Sequence, residues 1–82
     1  MKYKIRIDKS ALKFIARQTD RDKKRLLSSI YNLPGGDTTK LSGKHNMHRL
    51  RIGGYRVIYT INDNLFLIHV IEVGNRGDIY KS

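Results

Sequence analysis

A chain of 82 residues is a single-domain length; residues 1–82 are therefore expected to form one domain, with no room for a large enclosed cofactor pocket, and no cofactor is expected. There is no cysteine, which excludes disulfides, thiolate catalysis and cysteine-based metal sites and fits a reducing, cytoplasmic setting. The formal net charge of +10 calls for a polyanionic partner, whether nucleic acid, an anionic membrane surface or an acidic protein; the longest apolar stretch, Leu65 to Ile71, is interrupted by His69 and is far too short to span a bilayer, and no membrane partner is expected.

From Met1 to Arg6 charged and apolar residues alternate, which is not the pattern of a secretory leader. The alternation continues to Asp8, with Tyr3, Ile5 and Ile7 on one side, and predicts a half-buried strand. Asp8 or Ser10 is placed to cap a helix running to about Gln18, with Ala11, Leu12 and Ile15 on its apolar face. Thr19 and Asp22 form a capping-box-like pair that opens a second helix, whose apolar stripe is Leu26, Leu27, Ile30 and Tyr31. The breaker run Asn32-Leu33-Pro34-Gly35-Gly36-Asp37 ends it.

In the second half the period becomes two. Met47 to Ile52 alternates, Gly53-Gly54 signals a hairpin, and Tyr55 to Ile61 is rich in β-branched and aromatic residues. After the turn Asn62-Asp63-Asn64, Leu65 to Val73 is apolar on both faces, as in a central strand; Gly74 breaks the run and leaves a short tail from Asn75 to Ser82. The expected fold is α+β: a β-α-α-β-β-β order, a mainly antiparallel sheet, and both N-terminal helices packed on one face.

Charge is concentrated along the chain. No Asp or Glu occurs from Thr38 through Asn62, a stretch that carries Lys40, Lys44, Arg49, Arg51 and Arg56 with His45 and His48 among them. A solvated face normally mixes signs, so a one-sign stretch suggests a surface for phosphates, with Lys40, Lys44 and His45 as candidate RNA-binding residues. Arg49 and Arg51 are two apart and share a strand face opposite Leu50 and Ile52; Arg56 points away from Val57, Tyr59 and Ile61. If those two apolar sets face the core together, the three arginines share the other face. Arg76 follows Gly74 and can return to the edge of that face, with Tyr80 a few residues on. Arginine suits phosphate because its planar fork donates two hydrogen bonds and stays charged; tyrosine offers a ring for stacking and a hydroxyl for proton transfer.

Three segments in order, Lys40-Leu41-Ser42-Gly43, His48 through Tyr59, and Val73 through Tyr80, resemble the RelE branch of the RelE/ParE toxins, and the resemblance covers nearly the whole chain. It implies the toxin of a type II toxin–antitoxin system: a metal-independent endoribonuclease that cleaves messenger RNA in the ribosomal decoding site, with the RNA 2′-hydroxyl as nucleophile. The matching positions are Arg49, Arg51, Arg56, Arg76 and Tyr80. By resemblance Arg56 grips the scissile phosphate, Arg76 stabilises charge or protonates the leaving oxygen, Tyr80 stacks on or orients a nucleotide, and Arg49 and Arg51 hold the backbone. The partners implied are messenger RNA, ribosomal RNA and a cognate antitoxin whose neutralising segment is acidic and folds on binding. Arg49 and Arg51 stand where the best-known relative has lysine; arginine does not act as a base, so electrostatic activation of a hydroxyl is the expected role. The chain also ends two residues after Tyr80, where some relatives continue into a further helix.

Two other functions fit the same composition: a ParE-like, non-enzymatic inhibitor of DNA gyrase, and a plain RNA-binding module. The arginine set with Tyr80 favours RNA cleavage over both. Glu72, the only glutamate, is a candidate auxiliary carboxylate or a structural partner of the arginines. His45 and His48 lie in loop and strand, where a spacing of three puts side chains on opposite faces, so no metal site is expected. His48 falls on the Leu50 side and reads as structural, and His69 reads as a hydrogen-bonded core histidine.

Overall fold

The structure, a computed structural model, describes residues 3–42 and 46–75. Strand β1 (Lys4–Ile7) alternates as the sequence predicts, with Lys4 and Arg6 exposed and Ile5 and Ile7 half-buried. Helix α1 (Lys9–Ala16) follows Asp8, whose extended backbone forms the N-cap while its carboxylate accepts from Ser10 Oγ at 3.1 Å. The helix stops short of Gln18, whose side-chain amide donates back to the Phe14 carbonyl at 2.9 Å. Its inner face is Ala11 and Ile15, flanked by Phe14; Leu12 is 47% exposed, so the expected apolar face is rotated toward Phe14. Helix α2 (Asp20–Tyr31) opens on the predicted cap, with Thr19 Oγ1 accepting from the Asp22 amide at 3.2 Å. Leu26 and Ile30 are fully buried, but Tyr31 lies off the stripe at 61% exposure.

The sheet has five strands in the order β1-β5-β4-β3-β2, namely β2 (Thr38–Ser42), β3 (Met47–Ile52), β4 (Tyr55–Asn62), β5 (Leu67–Asn75) and β1. Strands β2 to β5 form an antiparallel meander, and β1 pairs parallel to β5. The expected three-strand meander is thus a four-strand one: Thr38–Ser42, which has no apolar alternation to announce it, is recruited as an edge strand because its backbone pairs with β3. The last strand begins at Leu67 rather than Leu65, since Asn62 Oδ1 accepts from the Leu65 amide and Phe66 takes a left-handed turn conformation (φ 50°). Gly74 does not break the strand; it is buried within β5, opposite Arg56.

One face of the sheet carries both helices. Leu50, Ile52, Val57, Tyr59, Ile68, Val70 and Val73 meet Ala11, Ile15, Leu26 and Ile30 in a single cluster. Apolar area buried in this layer stabilises the fold at roughly 25 cal/mol per Å². No helix among the described residues is long and apolar enough to cross a membrane.

Candidate nucleic-acid interface

The face away from the helices is ordered by strand register. Arg51 on β3 stands directly opposite Arg56 on β4, and Arg56 directly opposite Gly74 on β5. In the next row Thr39 on β2, Arg49 on β3, Ile58 on β4 and Glu72 on β5 line up. Paired residues share a face, so Arg49, Arg51 and Arg56 are together, as the alternation predicts. Opposed side chains on neighbouring strands have Cβ atoms about 4.5–5.5 Å apart, and like charges so placed are destabilising.

The three arginines differ in environment. Arg51 is exposed and Arg49 half-buried, its Nη2 donating to Thr39 Oγ1 at 3.3 Å. Arg56 is 4% exposed, the only charged residue among the buried ones described. Its neighbour across the strand on β5 is Gly74, which contributes no side chain to this row. The sequence gives its direction but not this burial. A charged guanidinium held from water attracts an anion more strongly than one in solvent, because the local dielectric is low.

A bulge brings Glu72 onto this face. The pairing shifts between Ile58 and Tyr59, so that Ile58 opposes Glu72 while Tyr59 opposes Val70, leaving Ile71 as the extra residue. Glu72 is exposed and separated from Arg49 by Ile58. Lys40 does not join the arginines. It pairs with His48, which pairs with Tyr59, so it sits at the sheet's edge on the helix-bearing side. The sequence missed Thr39, which takes the place on the arginine face, because β2 carries no visible period. Lys44, His45, Arg76 and Tyr80 lie outside the described residues.

The histidines divide as their strands dictate. His48 stacks on Tyr59 with ring centroids 5.3 Å apart and 17° between planes, the structural role expected for it. Burial lowers its pKa from the ordinary histidine value, and the nearby Lys40 charge acts in the same direction. Burial likewise raises the Tyr59 hydroxyl. His69 is not a core histidine. The register puts it beside Thr60 and Arg6 on the face away from the helices, and its Nε2 lies 3.9 Å from Asp8 Oδ1.

The family model described as the ParE toxin of the type II toxin-antitoxin system parDE matches residues 5–80. No curated protein matches the sequence significantly. Among solved structures, the archaeal RelE-RelB complex from Pyrococcus horikoshii contains a chain that is 28% identical, with TM-score 0.79, over 94% of this chain and 98% of that one. The isolated RelE toxin of E. coli is 26% identical with TM-score 0.71, over 96% of this chain and 92% of that one. The RelBE2 toxin-antitoxin complex of Mycobacterium tuberculosis, at 18% identity and TM-score 0.77 over 93% and 100%, shares the fold.

Proposed function

This chain belongs to the RelE/ParE superfamily of toxins of type II toxin–antitoxin systems, and on that premise we propose that it is a ribosome-dependent endoribonuclease that inhibits translation by cleaving messenger RNA. The observation that carries this reading is the gathering of Arg49, Arg51 and Arg56 on one sheet face, with Arg51 and Arg56 directly opposed. A cluster of like charges on the sheet face away from the helices is a site that gains from an anion.

In the proposed reaction the RNA 2′-oxygen attacks the adjacent phosphorus and the bond from phosphorus to the 5′-oxygen breaks. A cyclic phosphate and a free 5′-hydroxyl result, and the 2′-hydroxyl proton is lost as the leaving oxygen gains one. The nucleophile belongs to the substrate, so no metal-activated water is needed, and the arginines supply the positive charge. Charge develops on the non-bridging oxygens, where the buried Arg56 fork fits best; Arg49 and Arg51 neutralise the flanking backbone and lower the pKa of the attacking hydroxyl. Arg76 is assigned to the leaving oxygen and Tyr80 to a stacked nucleotide, on the resemblance of the chain's ending. Glu72, on the same face, is the candidate acceptor for the 2′-hydroxyl proton. In-line geometry comes from the ribosome holding the message.

The partners follow. Solved relatives include RelE-RelB complexes, and a cognate antitoxin is proposed here: an acidic, amphipathic segment, disordered alone, that folds over the basic face. The proposed site of action is the cytoplasm, where ribosomes translate. The ParE description of the matching family favours a second reading, a non-enzymatic inhibitor of DNA gyrase. Induction in growing cells with mapping of messenger RNA 5′ ends separates the two. Cuts within translated frames are expected; intact messages with double-strand DNA breaks overturn the ribonuclease reading in favour of the second.

A further inference from the structure

Helix α2 carries Arg21, Lys23, Lys24 and Arg25 against only two acids, Asp20 and Asp22. Both acids are engaged. Asp20 pairs with Lys23 at 3.9 Å, and Asp22 Oδ2 accepts a 2.7 Å hydrogen bond from the Tyr55 hydroxyl, which also lies 3.1 Å from Gln18 Oε1. The Asp22 contact holds the Tyr55 hydroxyl above its ordinary pKa. It also ties α2 to the first residue of β4, at the mouth of the β3–β4 hairpin. Arg25, three residues beyond Asp22, would ordinarily use that carboxylate as its helix partner. Among the described residues it makes no ion pair and is exposed.

Its guanidinium is nevertheless in a defined place. A Cβ built on Gly53 would lie 2.7 Å from Arg25 Nη2, 3.0 Å from Cζ and 3.1 Å from Nη1. Three nearly equal distances mean that the guanidinium plane lies across the turn and covers the position a side chain would take. The φ of +55° at Gly53 disfavours most side chains, and any Cβ placed there would displace the Arg25 guanidinium. Beside it Gly54 faces open space, with nothing within 4 Å of an added Cβ. Arg51 and Arg56, the opposed pair nearest this turn on the face away from the helices, stand two residues from Gly53 and Gly54, roughly 6–7 Å along their strands.

We propose that Arg25, seated on the Gly53-Gly54 turn, is a further phosphate-gripping residue that carries the arginine face around the end of the sheet onto the helix layer. The inference rests on the RNA-binding reading of Arg49, Arg51 and Arg56. A guanidinium lying flat on backbone keeps its N–H edges directed sideways into solvent, and a fork already held loses less freedom when it meets a phosphate. The site would take the backbone phosphate next to the one held by Arg51, so a strand crossing the arginine face would bend over the hairpin end.

The test is binding of the full chain to a short fluorescein-labelled single-stranded RNA, by anisotropy, as salt is varied. Arg25→Ala is expected to flatten the log–log salt slope by about 0.7, the value for one phosphate on a single strand. Arg51→Ala should do the same, and Lys13→Ala, on the outer side of α1, should leave the slope unchanged. Gly53→Asn keeps every charge and tolerates the left-handed conformation, but its Cβ displaces the guanidinium. It is expected to match Arg25→Ala, and the double variant to be no worse than either. A normal slope for Arg25→Ala beside a reduced one for Arg51→Ala overturns this role of Arg25 and leaves the RNA interface standing. Wild-type binding by a folded Gly53→Asn protein removes the seat on the turn. If neither Arg25→Ala nor Arg51→Ala alters the slope, the interface itself fails and this inference with it.

Discussion

Strand β4 is buried on both sides, and its two sides are built for different ends. Toward the helices stand Val57 and Tyr59, at 0% and 1% exposure; on the other side stand Arg56 and Ile58, at 4% and 6%. The first pair is closed in by apolar side chains from α1, α2 and the neighbouring strands. The second includes a permanent charge in the same row as the exposed Arg51. Equal burial therefore does not mean equal purpose. Apolar atoms on the helix side gain by leaving water, whereas a buried guanidinium is costly to hold, a cost that the proposed phosphate grip would put to use.

Substitutions on the two sides should separate stability from activity. The largest loss of stability is expected from Leu26→Ala in the helix layer, about 2–5 kcal/mol, a large share of a small domain's total. Chemical denaturation measures it; a loss below about 1 kcal/mol would mean that the helices are not packed as described. Arg56→Ala should lower cleavage about 10²–10³-fold, the usual loss for one donor to a developing charge. Because Arg56 is buried, a lower melting temperature should accompany that loss. Arg51→Ala, in solvent, should cost less activity and leave melting unchanged or slightly raised, because it relieves the repulsion across the pair. Near wild-type cleavage by a folded Arg56→Ala protein would take Arg56 out of the mechanism and make its burial purely structural.

The comparison also has a salt signature. With Arg49, Arg51, Arg56 and Arg25 engaged on single-stranded RNA, log affinity should fall against log salt with a slope of about −3. A flat response would mean that the arginine face holds no phosphates. The smallest effect belongs to the helix side. His48 has a lowered folded pKa, so as pH falls the unfolded chain takes up this proton first. Its contribution is complete above the ordinary histidine pKa, declines as pH drops toward the lowered folded value, and then stays level. Melting curves between about pH 7 and pH 5 should show this decline, and His48→Gln should flatten it. An unchanged profile in the variant would assign the decline to other groups.

Much of this arrangement is legible in single residues. Gly53-Gly54 marks the hairpin, Thr19 marks the second helix, and the spacing of Arg49, Arg51 and Arg56 against Leu50, Ile52 and Val57 places three charges on one face. These signals are local: a turn needs a left-handed residue, a helix end needs an acceptor, and a strand alternates with period two. The misreadings were at places where partners decide. Thr38–Ser42 becomes a strand only because β3 offers an edge to pair with, and its pairing sends Lys40 to the helix side while Thr39 meets Arg49. Leu12 is left exposed while Phe14 packs against the core and meets Tyr55 edge-on, and His69 lands outside the core because its row is the one that faces away from the helices.

The sequence by itself determined the order of the elements apart from β2, the polarity of the faces of β1, β3 and β4, and the chemistry of the charged stretch, because all three depend on residue type and short spacing. Only the tertiary structure decided which charges become neighbours and how much water each one sees. Arg51 and Arg56 differ in exposure although they stand opposite one another, and Arg25, far from both in sequence, comes to rest on the turn between their strands. Burial and juxtaposition are set by segments that meet across the fold, and no local pattern in the chain encodes where those meetings fall.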